Sequence, residues 1–363
     1  MGDSSASVGV TGTDWAYSTN GVIFHCKPAA GGAEITAKAT IQTNYASATL
    51  SGLAAGTTYT LYATCTATNG TAVKSPENTF TTTKSTATPA LGLSWLEIPA
   101  AMTGSEMGGS VTKSNLFYHT FYYGSETDSN RNYTVCYDKG KFTTYWVAYP
   151  LNKSHKGSAG RNEAWGYVNS SLLAESLQPN IKGGSYHSTS SGGSNNYSRG
   201  HLLPSNSRQK NVTMNQQTFL SVNLVPQIQD GFNGGVWMHL ENDLQSLSSS
   251  DDLFVVTGTA LQKGSNEEIG TMARTYDQSG KEISVPRYFY KVVLKVNSTS
   301  SPTSASAIGF WFTNKAHSAE FESFAMSVDE IEQKLGMDFF PNLPDSVEAA
   351  AEKNSSYSAF TAF

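Results

Sequence analysis

The chain has 363 residues, of which 38% are hydrophobic, 11% aromatic and 15% charged, and it carries a formal charge of -5. The length accommodates two domains of about 150 residues each, and the aromatic content rules out disorder of the whole chain. No apolar run reaches the roughly 20 residues of a bilayer span, and the 32 glycines have no period of three, so membrane-spanning and collagen-like classes are excluded.

Residues 6–82 read as short strands with alternating apolar positions, separated by Gly and Asn turns. Val22, Phe24 and Cys26 share one parity, as do Tyr59, Leu61, Ala63 and Cys65, so each set is expected to face a common interior. The run Leu-Ser-Gly-Leu-Ala-Ala-Gly-Thr-Thr-Tyr at 50–59 resembles the corner between strands E and F of fibronectin type III domains. That resemblance implies a small all-β sandwich over residues 1–83, serving as a spacer or docking platform for an unspecified partner. Cys26 and Cys65 are candidates to pair, which would leave Cys136 single, and none of the three has metal-ligand spacing. The Met-Gly start lacks an apolar leader, so an export signal is expected to have been removed, with the protein secreted, periplasmic or lipid-anchored.

The polar, low-complexity run at 84–94 is expected to be a linker. Residues 95–363 read as one α+β domain without an internal repeat. Strands are expected at 143–149, 253–259, 287–296 and 307–312, all rich in β-branched and aromatic residues. A helix is expected after Asn233, where Trp237, Leu240, Leu244 and Leu247 recur three or four apart. Another is expected from Ser327, whose Ser-Val-Asp-Glu sequence fits a capping box, to Gly336. Charge is uneven: residues 138–210 hold nine bases against three acids, whereas residues 1–90 are neutral. Such a stretch is either a local anion site or a solvated basic face.

No G-x-S-x-G, G-x-x-x-x-G-K-[ST], H-E-x-x-H or C-x-x-C pattern is present, so serine-triad hydrolysis, triphosphate turnover and zinc proteolysis lack support. What remains is a polar constellation between residues 197 and 242. Arg199 and His201 are two apart and would project from one face of an extended segment, where a guanidinium can hold a phosphate oxygen while a neutral imidazole takes a proton from water. Asn233 and Glu241 are eight apart, which on a continuous helix means about 80° of rotation and about 12 Å of rise. That separation suits an ion held directly by Asn233, with Glu241 acting through water, and so suits Mg²⁺. His155, His187, His239 and His317 read as ordinary surface or hydrogen-bonded residues.

Taken in order, Ser-Arg-Gly-His ending at His201, Val-Asn-Leu-Val-Pro-Gln ending at Gln227, and Asn-Gly-Gly-Val-Trp-Met-His-Leu-Glu ending at Glu241 strongly resemble the DNA/RNA non-specific endonucleases. The pattern of that ββα-metal family is D-R-G-H, S-N-x-x-P-Q, then N-x-G-x-W-x-x-L-E. Similar stretches at 145–149, 255–259, 285–292 and 339–344 extend the likeness over most of residues 95–350. The resemblance implies a largely antiparallel mixed sheet core and DNA and RNA substrates held through phosphate contacts. It also implies His201 as general base, Asn233 as the protein ligand of a hydrated Mg²⁺ (Mn²⁺ being possible), Glu241 orienting the ion's waters, Asn223 positioning the site, Arg199 as the motif arginine, and Arg161 steadying charge on the phosphate. The products would carry 5′-phosphate ends. Ser198 stands where most members have Asp, and Val222 where they have Ser, so altered support is expected rather than lost chemistry. The rival expectation is a catalytically silent nucleic-acid-binding or adhesion protein on the same scaffold. If His201 is the base, activity is expected to rise with pH through a value near ~6.5, displaced by neighbouring charges.

Overall fold

The computed structural model describes residues 5–11, 21–42, 45–51, 53, 57–67, 69–82, 95–109, 111–194, 197–261 and 274–363. The expected linker at 84–94 lies outside the described residues. Contacts divide the chain into two units, Met1–Ala87 and Thr88–Phe363.

Among its described residues the first unit is all β. Strands β1 (Ser5–Thr11), β2 (Ile23–Pro28), β3 (Ile35–Lys38), β4 (Thr40–Gln42), β5 (Tyr45–Ser51), β6 (Thr58–Thr66), β7 (Ala72–Lys74) and β8 (Asn78–Thr81) form two antiparallel sheets. One has the order β1-β5-β4; the other has β3-β2-β6-β7, with β8 also on β6. Period-two burial brings Val22, Phe24, Cys26, Tyr59 and Ala63 from the second sheet against Val8, Ala46 and Leu50 from the first. Cys26 and Cys65 do not pair, and both are free thiols. Cys26 lies opposite Leu61 in the ladder, and Cys65 is four residues further along β6. That offset is about 13 Å of strand, whereas a disulfide needs Cα atoms within about 7 Å.

The second unit is built on a seven-stranded antiparallel sheet. Its strands are β9 (Leu116–Tyr122), β10 (Arg131–Asp138), β11 (Thr143–Leu151), β14 (Leu253–Ala260), β17 (Tyr288–Val296), β18 (Ala305–Thr313) and β19 (Ala325–Met326), in the order β19-β18-β17-β14-β11-β10-β9. Two further pairs stand apart, β12 (Tyr197–His201) with β13 (Leu224–Ile228), and β15 (Arg274–Tyr276) with β16 (Glu282–Ser284). The helices are α1 (Glu106–Gly109), α2 (Val212–Gln217), α3 (Trp237–Leu247), α4 (Val328–Leu335), α5 (Asp345–Ala351) and α6 (Tyr357–Thr361). The class is therefore α+β, as the pattern of strands and helices implies. Among the described residues no helix is long and apolar enough to cross a membrane.

The central strands read as near-continuous apolar runs because both faces of the sheet are covered. On one face, Phe254, Val256, Tyr290, Val292 and Leu294 pack with Val328, Ile331 and Leu335 of α4 and with Phe339 and Phe340. On the other, Val147, Tyr149, Val255, Phe289 and Val293 pack with Trp237, Leu240 and Leu244 of α3, the three-and-four spacing seen in the sequence. Helix α4 starts as its capping box requires: the Ser327 hydroxyl accepts from the Glu330 N–H at 3.2 Å while the Glu330 carboxylate accepts from the Ser327 N–H at 2.9 Å. Gly336, at φ 69°, closes it in the left-handed conformation.

Candidate active site

The β12–β13 ribbon sits on the second face of the sheet and leads into α3, so a two-stranded element and a helix frame one cleft. Register pairs Ser198 with Gln227, Gly200 with Val225 and His201 with Leu224. Gly200 is needed because a Cβ there would overlap the Gln227 side chain. Between β13 and α3 the chain makes a kinked helical turn, Gln229–Val236, with non-helical backbone at Asp230, Gly231 and Gly235. Asn233 lies in that turn and Glu241 in α3, so the two are not on one continuous helix and the rise-and-rotation estimate does not apply to them. Both nevertheless line the cleft, which has a volume of about 1340 Å³.

Arg161, Arg199, His201, Asn233 and Glu241 all line this cleft. The Arg161 guanidinium donates to Glu163 Oε1 at 2.8 Å and to Ser205 Oγ at 2.9 Å, and lies over the Phe219 ring. Arg199 donates to the Ile181 carbonyl at 3.0 Å, and its guanidinium carbon stands 3.5 Å from the centre of the Trp165 ring. Two aromatic edges hold the imidazole of His201, Phe219 at 5.1 Å and Trp165 at 5.7 Å between centroids. Its Nε2 is shielded from solvent and has no hydrogen-bond partner. Burial first, and the Arg161 charge second, push its pKa down to about 3, so the ring is neutral at physiological pH.

The Asn233 amide nitrogen donates to Ser198 Oγ at 3.1 Å and to Gln229 Oε1 at 3.0 Å. Both of its protons are committed, and the carbonyl oxygen is the atom left for a ligand. Glu241 Oε1 is likewise shielded and unpartnered. Burial raises its pKa to about 7, against the opposing field of buried Lys291, whose ammonium donates to Thr257 Oγ1 at 2.6 Å and stands 4.6 Å from the centre of the Trp237 ring.

Asn223 is fully buried and does not line the cleft. Its side chain accepts from the Leu203 N–H at 2.9 Å and donates to the carbonyls of Leu203 at 2.9 Å and Thr218 at 2.8 Å, pinning the chain two residues beyond His201. The basic stretch at 138–210 does not converge on the cleft. Of its nine bases only Arg161 and Arg199 line the cleft. Arg208 is fully buried and donates to Asn132 Oδ1 and to the carbonyls of Ser207, Asn132 and Pro150. His155, His187, His239 and His317 are absent from the lining. Asp329, Glu332 and Glu352 bring carboxylate oxygens within 4.8 Å of one another, but none of them lines the cleft.

Four residues that shape the site escape a reading by motif: Glu163, Trp165, Gln229 and Lys291. One had a signal: Lys291 is a charge inside the apolar run of β17.

Comparison with known proteins adds a second line. Residues 113–346 match the family model described as DNA/RNA non-specific endonuclease. A nuclease of Nostoc sp. is 28% identical over 229 residues, 61% of this chain and 75% of that protein. The mitochondrial nuclease EXOG of Danio rerio is 29% identical over 229 residues, 61% of this chain and 62% of its own length, so the chain spans less than two thirds of that relative. A chain in the crystal structure of the EndoG/EndoGI complex superimposes with a TM-score of 0.45 and 18% identity, over 59% of this chain and 85% of that one.

Proposed function

The chain belongs to the DNA/RNA non-specific endonuclease family, and from that premise we propose that it hydrolyses internal phosphodiester bonds of DNA and RNA, with His201 activating water and 5′-phosphate ends as products. The observation that carries this reading is the convergence of Arg161, Arg199, His201, Asn233 and Glu241, spread over eighty residues of sequence, on one cleft.

A phosphate oxygen between Arg161 and Arg199 would meet two guanidiniums already held in place by Glu163, Ser205 and the Ile181 carbonyl. These contacts read phosphate rather than bases, which suits a substrate range covering both polymers. Nε2 of His201 would take the proton from water, a role supported by its lack of a partner, with the hydrogen bond to the Arg199 backbone falling to Nδ1. The negative charge of a bound phosphate would offset the Arg161 field on the imidazole, raising its basicity when substrate is present. Asn223 acts as a positioning residue for the His201 strand.

The donor set fits a divalent cation, proposed as Mg²⁺ with Mn²⁺ as the alternative. Asn233 offers one carbonyl oxygen as a direct hard ligand, and Glu241 one buried, unpartnered carboxylate oxygen that would act on the ion through its bound waters. When bound, the cation would stabilise negative charge developing on the leaving 3′ oxygen. Export, and a fibronectin-like spacer role for the first unit, belong to the same reading.

The test is digestion of supercoiled plasmid and of structured RNA with Mg²⁺, with EDTA, and with His201→Ala, followed by ligation of the DNA products without prior kinase treatment. Cleavage of both polymers that needs the ion and His201, and ends that ligate directly, are expected. His201→Ala cutting at the wild-type rate would remove the base assignment, and a wild-type chain that binds both polymers yet cuts neither would establish the silent scaffold instead.

A further inference from the structure

We infer that Ser198 and Gln229 form a clamp that fixes the Asn233 amide with its carbonyl oxygen toward the cation, making both of them positioning residues. The inference rests on the reading of Asn233 as the cation's protein ligand. The Ser198 hydroxyl donates its single proton to the Gln227 carbonyl at 3.1 Å. Toward Asn233 it can therefore only accept, which it does from Nδ2 at 3.1 Å. Gln229 Oε1 accepts the second Nδ2 proton at 3.0 Å. With the Ser198 hydroxyl and Gln229 Oε1 directed as they are, an Asn233 amide turned the other way would set its oxygen against two acceptor oxygens.

Each jaw of the clamp has its own support. Ser198 is placed by the ribbon register, directly opposite Gln227. Gln229 has room beside Gly234, where a Cβ would stand 2.9 Å from Gln229 Nε2. The departure at 198 thus has a physical content. An ionised aspartate could accept from Asn233 but has no proton for the Gln227 carbonyl, whereas serine joins the two in one chain of hydrogen bonds.

The experiment measures Mn²⁺ binding to the full chain by electron paramagnetic resonance, with melting in EDTA as the folding control. Asn233→Ala is expected to abolish binding. Ser198→Ala and Gln229→Ala are each expected to weaken it about fivefold, the worth of one hydrogen bond, and Ser198→Thr to bind like the wild type. Wild-type binding by both alanine variants, with binding lost in Asn233→Ala, would overturn the clamp and leave the ligand reading intact. Wild-type binding by Asn233→Ala would overturn the ligand reading and the clamp with it. Should Ser198→Ala lower the melting temperature, Gln229→Ala decides instead: it removes one acceptor without touching the ribbon, and wild-type Mn²⁺ affinity in that variant would overturn the clamp.

Discussion

On one face of the seven-stranded sheet, Tyr290, Val292 and Leu294 meet Ile331, Leu335 and Phe339; on the other, Phe289 and Val293 lie beneath Trp237, with buried Lys291 between them in sequence and the cleft beyond. The same strands supply both layers through alternate residues, so propensity does not distinguish them. Their polar groups do. On the first face the Tyr290 hydroxyl donates to the Tyr145 carbonyl, and the Tyr145 hydroxyl donates to Asp138. On the second, His201 Nε2, Glu241 Oε1 and the whole Gln227 amide are buried without a partner. Buried polar groups are normally satisfied, and Trp146 Nε1 is an unpartnered atom on the first face too; what sets the second face apart is that His201 Nε2 and Glu241 Oε1 stand open at residues lining one cleft, as a ligand site requires.

The contrast breaks most readily at His201. His201→Ala should lower cleavage about 10²–10⁴-fold, the usual worth of a general base, while nucleic-acid binding in EDTA persists. On the opposite face, Phe339→Ala should cost about 3–5 kcal/mol of stability with little change in turnover per folded molecule, as chemical denaturation and active-site titration would show. A large loss of turnover in that variant would mean the two faces are coupled. Arg161→Ala should reduce kcat/KM about 10²-fold, and Arg161→Lys should recover only part of it, because a lysine cannot keep the two hydrogen bonds to Glu163 and Ser205.

Glu241 sharpens the comparison through pH. Its pKa in the fold, about 7, lies above the ordinary carboxylate value, so the folded state resists ionisation and stability falls as pH rises from about 4.5 to about 7. Glu241→Gln in EDTA should therefore melt higher than the wild type at pH 8 and no higher at pH 4, whereas cleavage is lost. An equal melting temperature at pH 8 would show that the carboxylate is already well solvated. His201 titrates the other way. With its pKa near 3, the expected inflection near ~6.5 should be missing from kcat/KM, which reports the free enzyme, and should reappear closer to that value in kcat once substrate phosphate is bound. The smallest effect is at the cap of α4, where Ser327→Ala should cost about 1 kcal/mol and leave activity unchanged.

Much of this was legible in the sequence wherever the governing physics is local. Helix α3 follows from the spacing of Trp237, Leu240 and Leu244, and α4 from Ser327, Glu330 and Gly336, because capping and face burial act within one or two turns. The kind of chemistry was legible too, since a guanidinium, an imidazole, a carboxamide and a carboxylate in that order restrict what a site can do. Only the tertiary structure decided which bases reach the cleft, burying Arg208 in the scaffold while leaving Arg161 at the cleft, and it separated Cys26 from Cys65 by register. It also lowered the pKa of His201 and raised that of Glu241, in both cases chiefly by burial, and set the partners of the Asn233 amide. The reason is common to all of these: desolvation, charge–charge distance and hydrogen-bond direction depend on groups remote along the chain, and spacing in the sequence carries no measure of them.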